Sequence, residues 1–310
     1  MNQKIIQSGK ITLLFFVLIS VIVAGCNRTG AKSEKKGSGE FEEFESQFEE
    51  EIQDKLKTAK KIFYSLPSPL ETAMLIKNAG ATYDESLLNP IENSSKYITN
   101  RSMALNLGIY TTDLSFASLF DQTQATLNYI QVAKEMADGL NILDAIDEET
   151  IKRLEANINN RDVIIDIISE TLLNSTSFLK ETGLESTASV ILVGGWVEGL
   201  YLATRIVGNS PLKDNKLVER IVDQKLSLNI IINLLNETSE DEDVQAVLAD
   251  VKALKAIYDK ITISQTEVTA VVDPESNVTT LKSESTINIT RDVFNELSSK
   301  VLEIRSSYIS

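Results

Sequence analysis

Two carboxylates stand where carboxylates are costly. Glu198 lies inside the apolar run 189–207, with Gly194, Gly195, Tyr201 and Leu202 at helical spacings of three and four. Asp113 is flanked in the same way by Ile109, Tyr110, Phe116 and Ala117. An acid on an apolar helix face must be paired or must change its titration. Arg205, two turns from Glu198, and Arg101 are the cations the spacing offers as partners. Two readings follow. In one, the acids make buried Arg–carboxylate or Tyr–carboxylate bonds that set helix register. In the other, Asp113 and Glu198 face one central pocket and, with raised pKa values, could do acid–base work or hold a cationic ligand. Tyr110, Trp196 and Tyr201 would line such a pocket as a small-ligand site.

The remaining repertoire is narrow. The 310 residues contain no histidine and a single cysteine, Cys26. Ser-His-Asp and Cys-His sites, histidine general bases and histidine metal sites are therefore excluded. With Cys26 committed elsewhere, as argued next, thiolate catalysis, disulfides and cysteine-based zinc are excluded too. Glu240, Asp241, Glu242 and Asp243 form an acidic run, but a calcium loop would need alternating acids and a glycine. Gly194 and Gly195 follow no strand at phosphate-loop spacing. No cofactor and no metal are expected.

Cys26 closes the run Val23-Ala24-Gly25-Cys26. Before it come Lys4 and Lys10, then the uncharged apolar stretch 11–24. That stretch is shorter than the roughly 20 residues of a membrane-spanning helix and reads as an export signal. Ala24-Gly25-Cys26 resembles the lipobox of bacterial lipoproteins. The resemblance implies cleavage before Cys26, a diacylglycerol on its sulfur and an acylated new amino terminus. Several acyl chains give stable anchoring where one is marginal. Residues 1–25 would be the signal peptide and 26–39 a flexible tether, with Arg28, Lys32, Lys35 and Lys36 able to lean on anionic headgroups. Asn27 follows the cysteine, where enteric lipoproteins held at the inner membrane carry Asp; the resemblance thus implies an outer-membrane anchor facing the periplasm. The net charge of −15 repels phosphate backbones, so nucleic acid is not an expected partner.

From residue 40 the pattern is helical. Phe41, Phe44, Phe48, Ile52, Leu56, Ala59 and Phe63 make one apolar stripe, suited to a core or to docking a partner protein. Ser68-Pro69-Leu70-Glu71 restarts a helix and Gly80 stops it. Further helices are expected at about 95–120, 123–137, 148–159, 161–182, 185–207, 214–236, 240–262 and 291–308, with Gly139, Gly183 and Gly208 as stops and Thr290 as a cap. The run 189–207 is read as the central helix of a soluble bundle, its glycines admitting a close neighbour. Alternation through Leu281, Ser283, Ser285, Ile287 and Ile289, with turn residues at 273–277, predicts a β-hairpin over about 264–289.

The fold class is therefore all-α: a bundle of about eight to ten helices over 40–310, with a small β-hairpin near the C-terminus. Gly108-Ile109-Tyr110 recurs as Gly194-Gly195-Trp196 at an offset of 86, with Leu114/Leu200 and Ala117/Ala203, and Leu140-Asn141-Ile142 recurs as Leu228-Asn229-Ile230 at 88. Two related halves or chance recurrence of helical texture both account for this. Taken whole, the chain resembles the all-helical lipoproteins of unassigned function found in the Bacteroidetes, which brings no active-site residues. The expected role is a non-enzymatic scaffold or binding module, the alternatives being a carboxylate-dependent hydrolase of envelope polysaccharide or a small-ligand-binding lipoprotein. A hydrolase would need its two acids about 5–10 Å apart in one cleft.

Overall fold

Local signals place most helix ends of the protein, seen here in a computed structural model. The structure describes residues 76–77 and 80–310, except 144–147, several positions between 161 and 181, and the strand connections 266–268, 273–278 and 283–284. All of these lie within the unit Asp54–Ser310. Cys26, the tether and the Phe41/Phe44/Phe48 stripe lie outside the described residues.

Seven α-helices are labelled here: α1 Asn100–Leu119, α2 Thr123–Gly139, α3 Glu148–Ala156, α4 Glu185–Val207, α5 Lys216–Glu237, α6 Glu242–Tyr258 and α7 Arg291–Tyr308. Further helical positions occur between 162 and 179, and short 3-10 turns at Glu85–Leu87 and Ile91–Lys96 precede α1. Thr99 caps α1 in a reciprocal capping box with Ser102, which holds the start at residue 100 rather than at about 95. Thr290 caps α7 by accepting from the Val293 N–H, as expected. Asp241 caps α6 by accepting from the Asp243 N–H, so the acidic run supplies the cap itself. Gly183 and Gly208 take φ of 75° and 48°, conformations that suit glycine at chain reversals. Gly139 is different. It stays helical, and a methyl group there would sit 2.5 Å from the Met103 sulfur.

The expected helix to residue 262 is too long. α6 ends at Tyr258, and Thr262 already pairs in a sheet. β1 (Thr262–Gln265) pairs antiparallel with β4 (Ser285–Asn288), and β2 (Thr269–Val272) with β3 (Thr279–Lys282). The hairpin is real and starts two residues earlier than its alternation suggests.

α1 and α4 form the centre. α4 is the one helix among the described residues long and apolar enough to cross a membrane, and 72% of its most apolar window is buried inside the fold. The two helices touch backbone to backbone. A Cβ on Gly108 would lie 2.1 Å from the Ile191 carbonyl oxygen, and one on Gly194 2.1 Å from that of Leu105. Those contacts are reciprocal under the offset of 86, which relates 105 to 191 and 108 to 194. The recurrent glycines therefore mark one crossing seen from both sides. The second recurrence has no such counterpart: Leu140–Ile142 turns the chain after α2, with Asn141 at φ 56°, whereas Leu228–Ile230 lies mid-helix in α5.

Candidate functional site

Four elements converge on three charges. Asp113 comes from α1, Glu198 from α4 and Arg305 from α7, and the segment 87–89 closes over them. Glu198 and Asp113 are fully buried, and Arg305 is 6% exposed. The Arg305 guanidinium grips Glu198 with two parallel bonds, Nε to Oε2 at 2.9 Å and Nη2 to Oε1 at 3.1 Å. Nη2 also donates to the Leu87 carbonyl at 3.0 Å, and the guanidinium lies over the Tyr201 ring, 4.4 Å from its centre. Asp113 Oδ2 accepts from the Asn89 N–H at 3.0 Å, while Oδ1 meets no conventional donor. The charged groups that act on it are Glu198, which raises its pKa, and Arg305, which lowers it.

Two acids and one guanidinium in a dry core balance only if one proton stays. Burial, then the Glu198 charge, holds the Asp113 pKa well above the ordinary carboxylate range. Burial also raises Glu198, against the opposing pull of Arg305. For Arg305, burial works against the charge, but the Glu198 carboxylate outweighs it and the pKa rises. Burial and the Glu198 charge together hold Asp113 toward its protonated form, while Glu198 is clamped by Arg305. A protonated Asp113 leaves the cluster neutral as a whole.

The cations offered by the sequence are not the partners. Arg205 is exposed, and Arg101, also exposed, lies 3.8 Å from Asp243. Spacing along one helix favours Arg205, but the side chain that reaches Glu198 comes from 107 residues away. A signal was there: Arg305 interrupts the apolar stripe Phe294, Leu297, Val301, Ile304 and Tyr308 of α7.

Around Asn89 runs a second buried network that sequence reasoning missed. Asn89 Nδ2 donates to Asn106 Oδ1 and to the Tyr97 hydroxyl, both at 3.0 Å, and Asn93 donates to Asn89 Oδ1 at 2.8 Å. Asn106 donates to the Tyr308 carbonyl at 2.9 Å, and the Tyr97 hydroxyl to that of Ile309 at 3.3 Å. The segment before α1 is thereby tied to the end of α7.

Tyr110, Trp196 and Tyr201 do not share a pocket. Tyr110 stacks loosely between Tyr97 and Tyr129 and donates to the Pro90 carbonyl at 3.0 Å. Trp196 Nε1 donates to Gln224 on α5 at 3.1 Å. Tyr201 carries the guanidinium. A cavity of about 100 Å³ does exist, but elsewhere, between α1, α2, α3, α4 and the residues Ile168, Thr171 and Leu179. None of the three aromatic residues, and neither acid, lines it. Among the described residues, no three His, Cys, Asp or Glu side chains converge to hold a metal.

Comparison of the chain with protein-family models, with curated proteins and with solved structures finds no match.

Proposed function

We propose that this chain is a lipid-anchored protein of the bacterial cell envelope whose helical body acts without catalysis, as a scaffold or binding module. The anchor is Cys26, in the sequence context Val23-Ala24-Gly25-Cys26. The outer membrane, on its periplasmic side, is the proposed location. The observation that carries the non-catalytic part is the burial of Asp113 and Glu198. A carboxylate hydrolase needs two acids facing an open cleft with room for substrate and water. Here both are at 0% exposure, Glu198 clamped by Arg305 and Asp113 bonded to the Asn89 backbone. Their chemistry is spent on holding three helices together. Without histidine or a second cysteine, the chain has few other means of catalysis.

Replacing Cys26 with Ala tests the anchor. The variant should leave the membrane fraction, and mass spectrometry of the parent should find acyl chains on the cysteine. Continued membrane association of Cys26→Ala, or an unmodified amino terminus, would refute the anchor. A hydrolytic turnover abolished by Glu198→Gln in a folded protein would refute the non-catalytic reading.

A further inference from the structure

We propose that the cavity between α1, α2, α3 and α4 is a binding site for a short aliphatic monocarboxylate, with the tail among the aliphatic side chains and the carboxylate on Lys134. The inference deepens the binding-module reading and rests on it. Among the described residues, all of the lining is aliphatic except Thr111, Thr171 and Lys134. The two threonines offer no free donor. Thr111 gives its hydroxyl proton to the Leu107 carbonyl and Thr171 to that of Ile167, each at 2.7 Å. Such walls give a water few of its usual two to four partners. An unfilled apolar void also forfeits the contacts its lining would make with an occupant.

Size and charge narrow the occupant. A cavity of about 150 Å³ takes benzene, so about 100 Å³ takes a chain of about four to five carbons beyond the head group. Lys134 is exposed and, among the described residues, brings the only charge to the lining. No ion pair within the described residues engages it, and its neighbour Glu135 is held by Gln131 at 3.1 Å. A neutral hydrocarbon would leave this ammonium unused, and a cation would be repelled by it. A chain ending in a carboxylate satisfies both the wall and the rim.

The test uses the intact chain with hexanoate, its neutral counterpart 1-hexanol, and acetate as a head without a tail. Affinities are read by saturation-transfer NMR. Hexanoate should bind saturably, hexanol about tenfold more weakly, and acetate not at all. Lys134→Ala should bring hexanoate down to the level of hexanol and leave hexanol unchanged. Ala133→Leu, which adds bulk to the lining, should abolish both; Ala188→Leu serves if the first variant does not fold. Absence of saturable hexanoate binding overturns the site. Hexanoate binding that survives Lys134→Ala, or both filling substitutions, overturns it as well. The anchor is judged separately by membrane fractionation, so a membrane-bound protein that ignores hexanoate sinks the cavity alone.

Discussion

Arg305 is the residue on which the core charges depend. Replacing it with Met leaves Glu198 buried without a counter-ion, and breaking a buried pair from one side costs about 3–5 kcal/mol. Denaturant unfolding of Arg305→Met should show that loss. Asp113→Asn should behave differently. Asp113 is held toward its neutral form and accepts from the Asn89 N–H, and a neutral asparagine carbonyl can accept the same bond. The expected change at neutral pH is within about 1 kcal/mol. The pH dependence has a definite sign. An acid whose folded pKa lies above its unfolded value binds more protons when folded, so its contribution is complete below the unfolded pKa. It is lost as pH rises from about 3.9 through the raised value. Wild type should therefore gain stability relative to Asp113→Asn as pH falls from 7 toward 5, measured by paired urea titrations. A difference that stays flat, or that runs the other way, would mean Asp113 is ionised in the folded protein.

At the scale of elements, the α1–α4 crossing decides which glycines matter. A methyl group at Gly108 or Gly194 meets a carbonyl oxygen at 2.1 Å, where neither helix backbone can yield without moving the other. Gly108→Ala and Gly194→Ala should each cost about 3 kcal/mol or more, at the upper end for overpacking. Gly199 lies in the same helix with nothing within 4 Å of the added carbon. Gly199→Ala should instead stabilise by about 0.5–1 kcal/mol, because alanine loses less backbone freedom in a helix. Thermal unfolding of the three variants side by side checks both signs. Helix ends at this scale were legible wherever one local device sets them. α4 begins and ends as the periodicity and Gly208 indicate, and α7 begins at its Thr290 cap. The end of α6 was not legible, because pairing of Thr262 with Asn288 draws the chain into a strand that no local signal announces.

For the molecule, the last helix acts as a closing clamp. It supplies Arg305 to the charged cluster, and its final carbonyls accept from Asn106 and Tyr97. A chain ending at Glu303 would lose all of these contacts at once, along with the buried Tyr308. Such a chain should lose its cooperative unfolding transition and its protection from protease. A truncated protein that still melts sharply would show that α7 is an accessory layer.

The linear order of residues was enough for the helical class, most helix positions, the hairpin and the two buried acids, Asp113 and Glu198. Each of these follows from periodicity, caps or the cost of a charge on an apolar face, which are properties of neighbours in the chain. The same order also carries the Cys26 motif and the absence of histidine. Which cation meets Glu198, that the Glu198 charge acts on Asp113, and that Tyr110, Trp196 and Tyr201 point into three different contacts were decided only when the helices packed. Spacing along the chain favours Arg205 over Arg305. They differ because packing α7 against α4 brings Arg305 onto Glu198, while Arg205 faces water. Contacts between residues about a hundred positions apart are set by how whole helix faces fit, and that fit is not written in any local stretch of sequence.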